Sequence, residues 1–362
     1  MLRHKAFKFR LYPNPEQAMQ MRRTLGCSRF VFNHFLAKWN ETYAATGKGL
    51  SYQTCATALP TLKQELPWLK EVDSIALQSA VRQLADGFQR FFKQQNGAPR
   101  FKSRKHPVQS YTTRYTNGNI AVKCNTLQLP KLGAVRFAKS REVEGRLLSA
   151  TIRLASSGKW FVSLVCEVDI KPLPVCERTI GIDVGLKYLA VTSDDEVVAN
   201  PRHTRRYEQQ LAKWQRRMSR RMRGGSNWQR AKIKVARIHE KIRNSRQDVL
   251  QKQTTKWIRE NQTICLEDLR IVEMMTKGKL AKHIADAAWG EMRRQLQYKA
   301  EWYGRQIKEV PSFVPTSQTC HVCGAIHSEV RDLGVRAWEC SACQTRHDRD
   351  GNAAKNIKVM AV

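Results

Sequence analysis

Residues 179–194, TIGIDVGLKYLAVTSD, set a carboxylate inside an apolar run that otherwise reads as a buried β-strand. An ionised Asp183 in that setting is costly unless something cationic meets it, so the fold must bring positive charge or a metal to the strand. A lone acid there could equally cap a strand end or pair with an arginine. Two further acids share the setting: Glu267 closes the apolar strand ICLE, and Asp350 stands at the mouth of a helix starting near GNAAKNI. Three carboxylates at the ends of core elements can converge on one site, and the preference of hard cations for oxygen suits that site to magnesium or manganese. Two such ions, roughly 4 Å apart, would activate a water and stabilise the leaving oxygen of a phosphodiester.

The partner is indicated by charge. The chain carries 64 Lys+Arg against 31 Asp+Glu, a net of +33 over 362 residues, with 41% hydrophobic residues to fill cores. A folded protein with this surplus repels itself unless a polyanion neutralises it, and nucleic acid is the first candidate. A membrane is the rival, but no apolar run approaches the roughly 18 residues of a spanning helix, and MLRHKAFKFRLY lacks the apolar core of a signal peptide. An intracellular protein with no membrane partner is expected. Residues 202–259 hold 19 Lys+Arg and 3 Asp+Glu. Tyr207, Leu211, Trp214, Met218 and Met222 keep helical spacing, RGGSN breaks it, and Val235, Ile238, Ile242 and Val249 resume it, which predicts a helical hairpin with one basic face. Solvated faces mix signs; a one-signed face favours phosphate contact, with Arg216, Arg217, Arg220, Arg221 and Arg223 as the contacting side chains.

The pattern elsewhere divides the chain. KAFKFRLY alternates as a half-buried strand. PNPEQ stops it, with Asn14 as a helix cap and Pro15 in the first turn, and the spacing of Met19, Leu25, Phe30, Val31 and Phe35 predicts two helices. Residues 73–95 read as a further helix capped by Ser74, with Leu77, Val81, Leu84, Phe88, Phe91 and Phe92 as one core stripe. From Gly97 to about Pro174 short runs separated by Gly, Pro and Asn predict a β-rich module, and with it a helical insert that interrupts a β-barrel-like domain whose first strand is residues 5–12. After the proline-bearing linker VDIKPLPVCER, TIGIDVG, YLAVTSD and EVVANP open an α/β domain. A long helix with Trp289, Met292, Leu296, Ala300, Tyr303 and Ile307 on one side leads into a cysteine cluster.

That cluster is two C-x2-C knuckles, Cys320 with Cys323 and Cys340 with Cys343, separated by 16 residues. The spacing is that of a structural zinc ribbon, whose four thiolates leave no coordination position for chemistry. With four cysteines present, His321, His327 and His347 are not needed as ligands. Cys27, Cys55, Cys124, Cys166, Cys176 and Cys265 read as small buried side chains.

The order strand–Asp, strand–Glu, helix–Asp resembles the RuvC-type branch of the RNase H fold. With the ribbon just before the last acid, the chain resembles the TnpB family, also called OrfB, the transposon-encoded relatives of type V CRISPR effectors. The likeness rests on GIDVGLKYLAV, RRMSRR, GGSNW, LEDL, SQTCHVCG with ECSAC, HDRDGNAAKNI and the opening KAFKFRLYPNPEQ. It implies that Asp183, Glu267 and Asp350 are the metal-binding catalytic acids, Asp350 preferred over Asp348 because it begins D-x-N-A-A. It also implies a wedge-like barrel at 1–12 and 97–174, a helical recognition lobe at 13–96, a RuvC-like domain at 179–312 and 348–362, and a zinc ribbon at 313–347. The implied activity is guide-RNA-directed cutting of double-stranded DNA beside a short adjacent motif, with single-stranded DNA exposed on the way, in a prokaryotic cytoplasm and on the nucleoid. Tyr52 and Gln78 fall in stretches similar to the family's motif-reading surface, where an amide can address adenine. A non-cutting guide-directed binder or transposition accessory, and a guide-free transposase, are the alternative readings.

Overall fold

Alternation of apolar and basic residues at the N-terminus builds the first strand. In the computed structural model, which describes residues 1–277, 280–332 and 334–361, β1 (Leu2–Tyr12) buries Phe7, Phe9 and Leu11 and exposes Lys8 and Tyr12. The expected ranges 179–312, 313–347 and 348–362 each include a residue or two outside the described set. The chain forms two compact units, residues 2–169 and residue 1 with 170–362.

In the first unit, Asn14 caps α1 (Pro15–Thr46): its Oδ1 accepts from Gln17 N–H at 2.7 Å, and Gln17 Oε1 accepts from Asn14 N–H. The two expected helices are one. Met21, Leu25, Val31, Phe32, Phe35 and Leu36 are buried on both sides of Gly26, and a single helical glycine costs only about 1 kcal/mol, too little to break a helix anchored so continuously. Ser51 caps α2 (Tyr52–Glu65), which the sequence pattern did not announce. The cap of α3 (Ser74–Phe92) is Asp73 rather than Ser74; its Oδ1 accepts from Ile75 N–H at 2.9 Å. Leu77, Val81, Leu84 and Phe88 join the helical core as expected, whereas Phe91 and Phe92 are exposed.

The strands that follow are β2 (Gln109–Arg114), β3 (Ala121–Lys123), β4 (Thr126–Leu129), β5 (Gly133–Phe137), β6 (Arg146–Leu154) and β7 (Trp160–Asp169). With β1 they make one antiparallel sheet in the order β2-β6-β7-β1-β5-β4-β3. The expected barrel does not close: β2 and β3 are outer edges. The far side consists of the short strands β3 to β5, joined to the end of β1 through the pairs Leu11–Phe137 and Tyr12–Arg136, and is too small to curl round to β2.

The second unit is built on a five-stranded sheet, β10-β9-β8-β11-β12, from β8 (Thr179–Val184), β9 (Tyr188–Thr192), β10 (Val197–Ala199), β11 (Thr263–Glu267) and β12 (Gln306–Val310). β8, β11 and β12 are parallel; β9 and β10 are antiparallel. Between the strands run α4 (His203–Ser219), α5 (Ser226–Glu260), α6 (Ile271–Lys277), α7 (Ala281–Ala287) and α8 (Trp289–Tyr303). Ile307, expected on the last of these helices, lies on β12. After it come the hairpin strands β13 (Ala337–Glu339) and β14 (Arg346–Asp348), then α9 (Arg349–Met360).

Strand periodicity sorts the two faces of this sheet. Ile180 and Ile182 of β8, with Ile264 and Leu266 of β11, pack with Leu250, Trp257 and Leu296 of α5 and α8. The alternate residues Gly181, Asp183, Cys265 and Glu267 take the face covered by α9, where Cys265 joins Ile357. Cys27, Cys55, Cys166 and Cys265 are buried as expected, but Cys124 is exposed, on a turn at φ 43°, and Cys176 is half-buried. Among the described residues no helix is long and apolar enough to cross a membrane.

Candidate active site

Register places the first two acids. Ile182 of β8 pairs with Leu266 of β11, so the next residues, Asp183 and Glu267, are neighbours on one face at the carboxyl ends of two parallel strands, where open α/β sheets bind ligands. The third acid arrives with α9. A Cβ built on Gly181 would lie 2.1 Å from Ala354 O and 2.6 Å from Lys358 N, so only glycine lets α9 lie this close to β8. Asp350 is one turn before Ala354 on the helix, and Asp183 is two residues beyond Gly181 on the strand.

The three charges reach one another. Burial pushes the Asp183 carboxyl well above the usual range, and Glu267 and Asp350 push it further; Arg349 acts the other way and Asp348 adds to the rise. The competing acids are occupied. Asp348 caps α9, accepting from Gly351 N–H at 3.0 Å, and Asp268 is held by Arg293 at 2.7 Å. Glu267 accepts from Thr316 Oγ1. Asp350 keeps a long contact to Arg336 Nη1, 3.5 Å.

Sequence reasoning missed several of these. Thr316 and Arg336 carried no signal. Asn352 and Asn356, spaced four apart in the DGNAAKN stretch, did. Asn352 Nδ2 donates to Thr319 O at 2.7 Å and its Oδ1 accepts from His321 N–H at 3.0 Å, while Asn356 Nδ2 donates to Thr316 O at 2.7 Å and Thr319 O at 2.6 Å. One face of α9 thereby grips the start of the cysteine segment, and its Ala353, Ala354 and Ile357 are buried.

Cys320, Cys323, Cys340 and Cys343 offer sulfurs all within 4.8 Å of one another, the single such donor group among the described residues. Two of the edges are 3.6 Å (Cys320–Cys343) and 3.5 Å (Cys323–Cys340), close to the roughly 3.8 Å that a tetrahedron with about 2.3 Å metal–sulfur bonds requires. The donor set fits a thiolate-preferring metal such as zinc. His327 and His347 ring this cluster from outside, their Nε2 atoms 3.2 Å from Cys340 Sγ and 3.1 Å from Cys320 Sγ.

Arg216, Arg217, Arg220, Arg221 and Arg223 are all exposed, at the end of α4 and in the turn leading to α5. In the other unit, Gln78 is exposed on α3, and Tyr52 is half-buried with its ring under the Arg82 guanidinium at 3.7 Å.

A mixed α/β unit bearing a four-cysteine cluster, in one chain with a helical and antiparallel-sheet unit, defines a fold class with a solved counterpart. A structure titled a cryo-EM structure of a Cas12f1–sgRNA–target DNA complex contains a chain of similar fold, with a TM-score of 0.61, 99% of each chain covered and 13% identity. Family models match residues 1–48 (helix-turn-helix domain), 163–278 (probable transposase, of the IS605 OrfB type) and 289–357 (Cas12f1-like, TNB domain). Over residues 1–48 the structure itself has a strand and one long helix. The "Putative RNA-guided DNA endonuclease" of Streptomyces pristinaespiralis is 39% identical over 98% of this chain and 88% of its own length. "Putative RNA-guided DNA endonuclease InsQ" of Escherichia coli K12 is 35% identical over 99% and 92%. The chain belongs to the TnpB/OrfB family.

Proposed function

We propose that this chain is the RNA-guided, divalent-metal-dependent DNA endonuclease of a transposable element, cutting target DNA beside a short adjacent motif. The observation that carries the reading is the pairing of Asp183 with Glu267 at the ends of β8 and β11, with Asp350 within electrostatic reach. In this reading Asp183, Glu267 and Asp350 hold magnesium or manganese. Bound there, two ions would supply an activated water and a stabilised leaving oxygen. The chain's own part is to hold three carboxylates on a rigid sheet and helix. Asp348 and Asp268 are spent on a helix cap and an arginine, which supports Asp350 and Glu267 as the ligands.

The strand order of the second unit supports an RNase H-like, RuvC-type domain at 179–312 and 348–362 with a zinc ribbon at 313–347. The first unit then serves as wedge (1–12 and 97–174) and recognition lobe (13–96). The exposed arginines of the α4–α5 turn contact phosphates of guide RNA or DNA, and Tyr52 and Gln78 read the adjacent motif. The protein acts in a bacterial cytoplasm on nucleoid DNA. Relatives named for guided DNA cleavage and the retained acids favour cutting over the binding-only alternative.

The test is to purify the chain, sequence the RNA that accompanies it, and offer a DNA matched to the RNA 3′ end. Magnesium-dependent cutting that chelation abolishes is the expected result. RNA without cutting would mean a binding protein, and cutting without RNA would mean a guide-free transposase.

A further inference from the structure

Between α1, α3, β2 and the loop at 100–108, wholly inside the first unit, lies a cavity of about 710 Å³ that cleavage does not use, within the size range of small-ligand sites. Arg29, Arg100, Lys102 and Lys105 line it, and no Asp or Glu does. Its remaining wall is partly apolar, with Leu25 of α1 and Ala76 and Ala80 of α3, and Phe101, 59% exposed, contributes an accessible ring. Tyr52 and Gln78 are not among the lining residues.

Two groups in the wall are incompletely satisfied. Ser28, 6% exposed, lines the cavity with a hydroxyl that has no hydrogen-bond partner. The Lys102 ammonium meets only neutral groups: it donates to Gln83 Oε1 at 3.0 Å and sits 3.8 Å from the Phe32 ring centroid. The Lys102 side chain is exposed overall, and partial desolvation with no anion beside it brings its pKa down to about 8. The buried unpaired hydroxyl of Ser28 raises the free energy of the site. An anion there would accept from that hydroxyl and pair with the ammonium.

We propose that this cavity binds a single nucleotide monophosphate unit, with its phosphate among Arg29, Arg100, Lys102 and Ser28 and its base on the apolar wall beside Phe101. A bare phosphate would satisfy the cations and leave the apolar wall and the ring unused; an apolar ligand would leave the cations unmatched. A phosphate joined to a flat ring meets both, because a base can stack on an aromatic side chain whatever its identity. The ligand has two possible sources, a free nucleotide or a nucleotide turned out of a bound strand. The site stands apart from the cleavage reading, because its test reads binding.

The test is equilibrium dialysis of radiolabelled AMP and UMP against the full-length chain, once stripped of nucleic acid in high salt and once loaded with its co-purified RNA. The stripped chain should bind at least one of the two about tenfold tighter than inorganic phosphate, and Lys102→Met and Ala80→Leu should each weaken that binding about tenfold. Thermal melts of both variants establish that they fold; should Ala80→Leu not fold, Lys102→Met decides alone. In the loaded chain, loss of AMP and UMP binding, with photocrosslinks from 4-thiouridine-substituted RNA to residues 100–106, assigns the site to a strand nucleotide. Unchanged binding assigns it to a free one. The proposal is overturned if the stripped chain prefers neither mononucleotide over phosphate and no crosslink reaches residues 100–106, or if a folded Lys102→Met variant leaves both signals as they were.

Discussion

Asp183 and Glu267 stand at the same step of two adjacent parallel strands, one residue beyond the Ile182–Leu266 pair. Their side chains share the face that α9 covers, so two like charges are held together by the backbone register itself. The arrangement costs stability by itself and, on the proposed reading, that cost is offset when a cation binds, an exchange of stability for function.

Asp183→Ala should therefore lower cleavage at least about 10³-fold while guide-dependent DNA binding stays within about twofold, read by single-turnover cleavage and gel shift. Asp183→Asn separates charge from shape. In chelator it should melt about 2–4 °C above the parent, for roughly 1 kcal/mol of relieved burial and repulsion, and magnesium should narrow that gap. An Asn variant no more stable than the parent in chelator would contradict the account of the acid's burden.

Gly181 carries a second expectation. A methyl group there would strike the α9 backbone at Ala354 O and Lys358 N, atoms that cannot move without the whole helix. Gly181→Ala should cost about 3 kcal/mol and lower cleavage by moving Asp350 away from Asp183, measured by denaturant midpoint and cleavage rate. The control is Gly26→Ala in α1, which meets nothing within 4 Å and should gain roughly 0.5–1 kcal/mol.

The contrast between these glycines marks what was legible in the sequence. Alternation in GIDVG and ICLE told which residues share a face, because strand periodicity is written locally, and the paired C-x2-C knuckles told of a four-cysteine cluster because thiolate geometry restricts spacing. What lies opposite a face is not written locally. Gly181 looked like any strand glycine until α9 was laid against it. Arg336 and Thr316 reach the acids through the tertiary path of the ribbon, without a motif of their own. Barrel closure depended on how far β3 to β5 could curl, and the break expected within α1 was overridden by continuous burial on both sides of Gly26.

On the proposed reading, the exposed arginines at the end of α4 and in the α4–α5 turn act through charge. Replacing Arg216, Arg217, Arg220, Arg221 and Arg223 with glutamine should lower the slope of log K against log salt by up to about 0.9 per lost duplex contact and leave motif preference unchanged. Gln78→Ala should do the reverse, keeping the salt slope and relaxing discrimination at one motif position by roughly 1–3 kcal/mol. Binding titrations across salt and motif variants separate the two. If Gln78→Ala alters only the slope, it contacts phosphate.

Lys299 supplies a pH test remote from the acids. Its ammonium is buried between α5 and α8, donating to Thr254 Oγ1 at 2.7 Å and Thr255 Oγ1 at 2.8 Å, and burial brings its pKa down to about 8. The folded state thus binds fewer protons than the unfolded state between pH 8 and the ordinary lysine value near 10.4, so this residue's contribution to stability rises with pH across that window. Lys299→Met should melt above the parent at pH 7, and the gap should shrink as pH climbs beyond 8. A gap that is constant from pH 7 to 10 would show that the charge is not the cost.

Four thiolates around one zinc would leave no open coordination position, yet on the proposed reading that metal should matter for cutting. Asn352 and Asn356 of α9 hold Thr316 and Thr319 at the start of the cysteine segment, and Thr316 donates to Glu267. Order at the four cysteines is thus linked through two asparagines and one threonine to a candidate catalytic acid. Cys340→Ser should lower zinc from about one ion per chain by elemental analysis, raise hydrogen exchange across residues 313–347, and depress cleavage even in excess magnesium. Asn356→Ala should depress cleavage with zinc content unchanged, because it cuts the link downstream of the metal. Full cleavage by a zinc-depleted chain would mean that Glu267 is positioned without the ribbon's help.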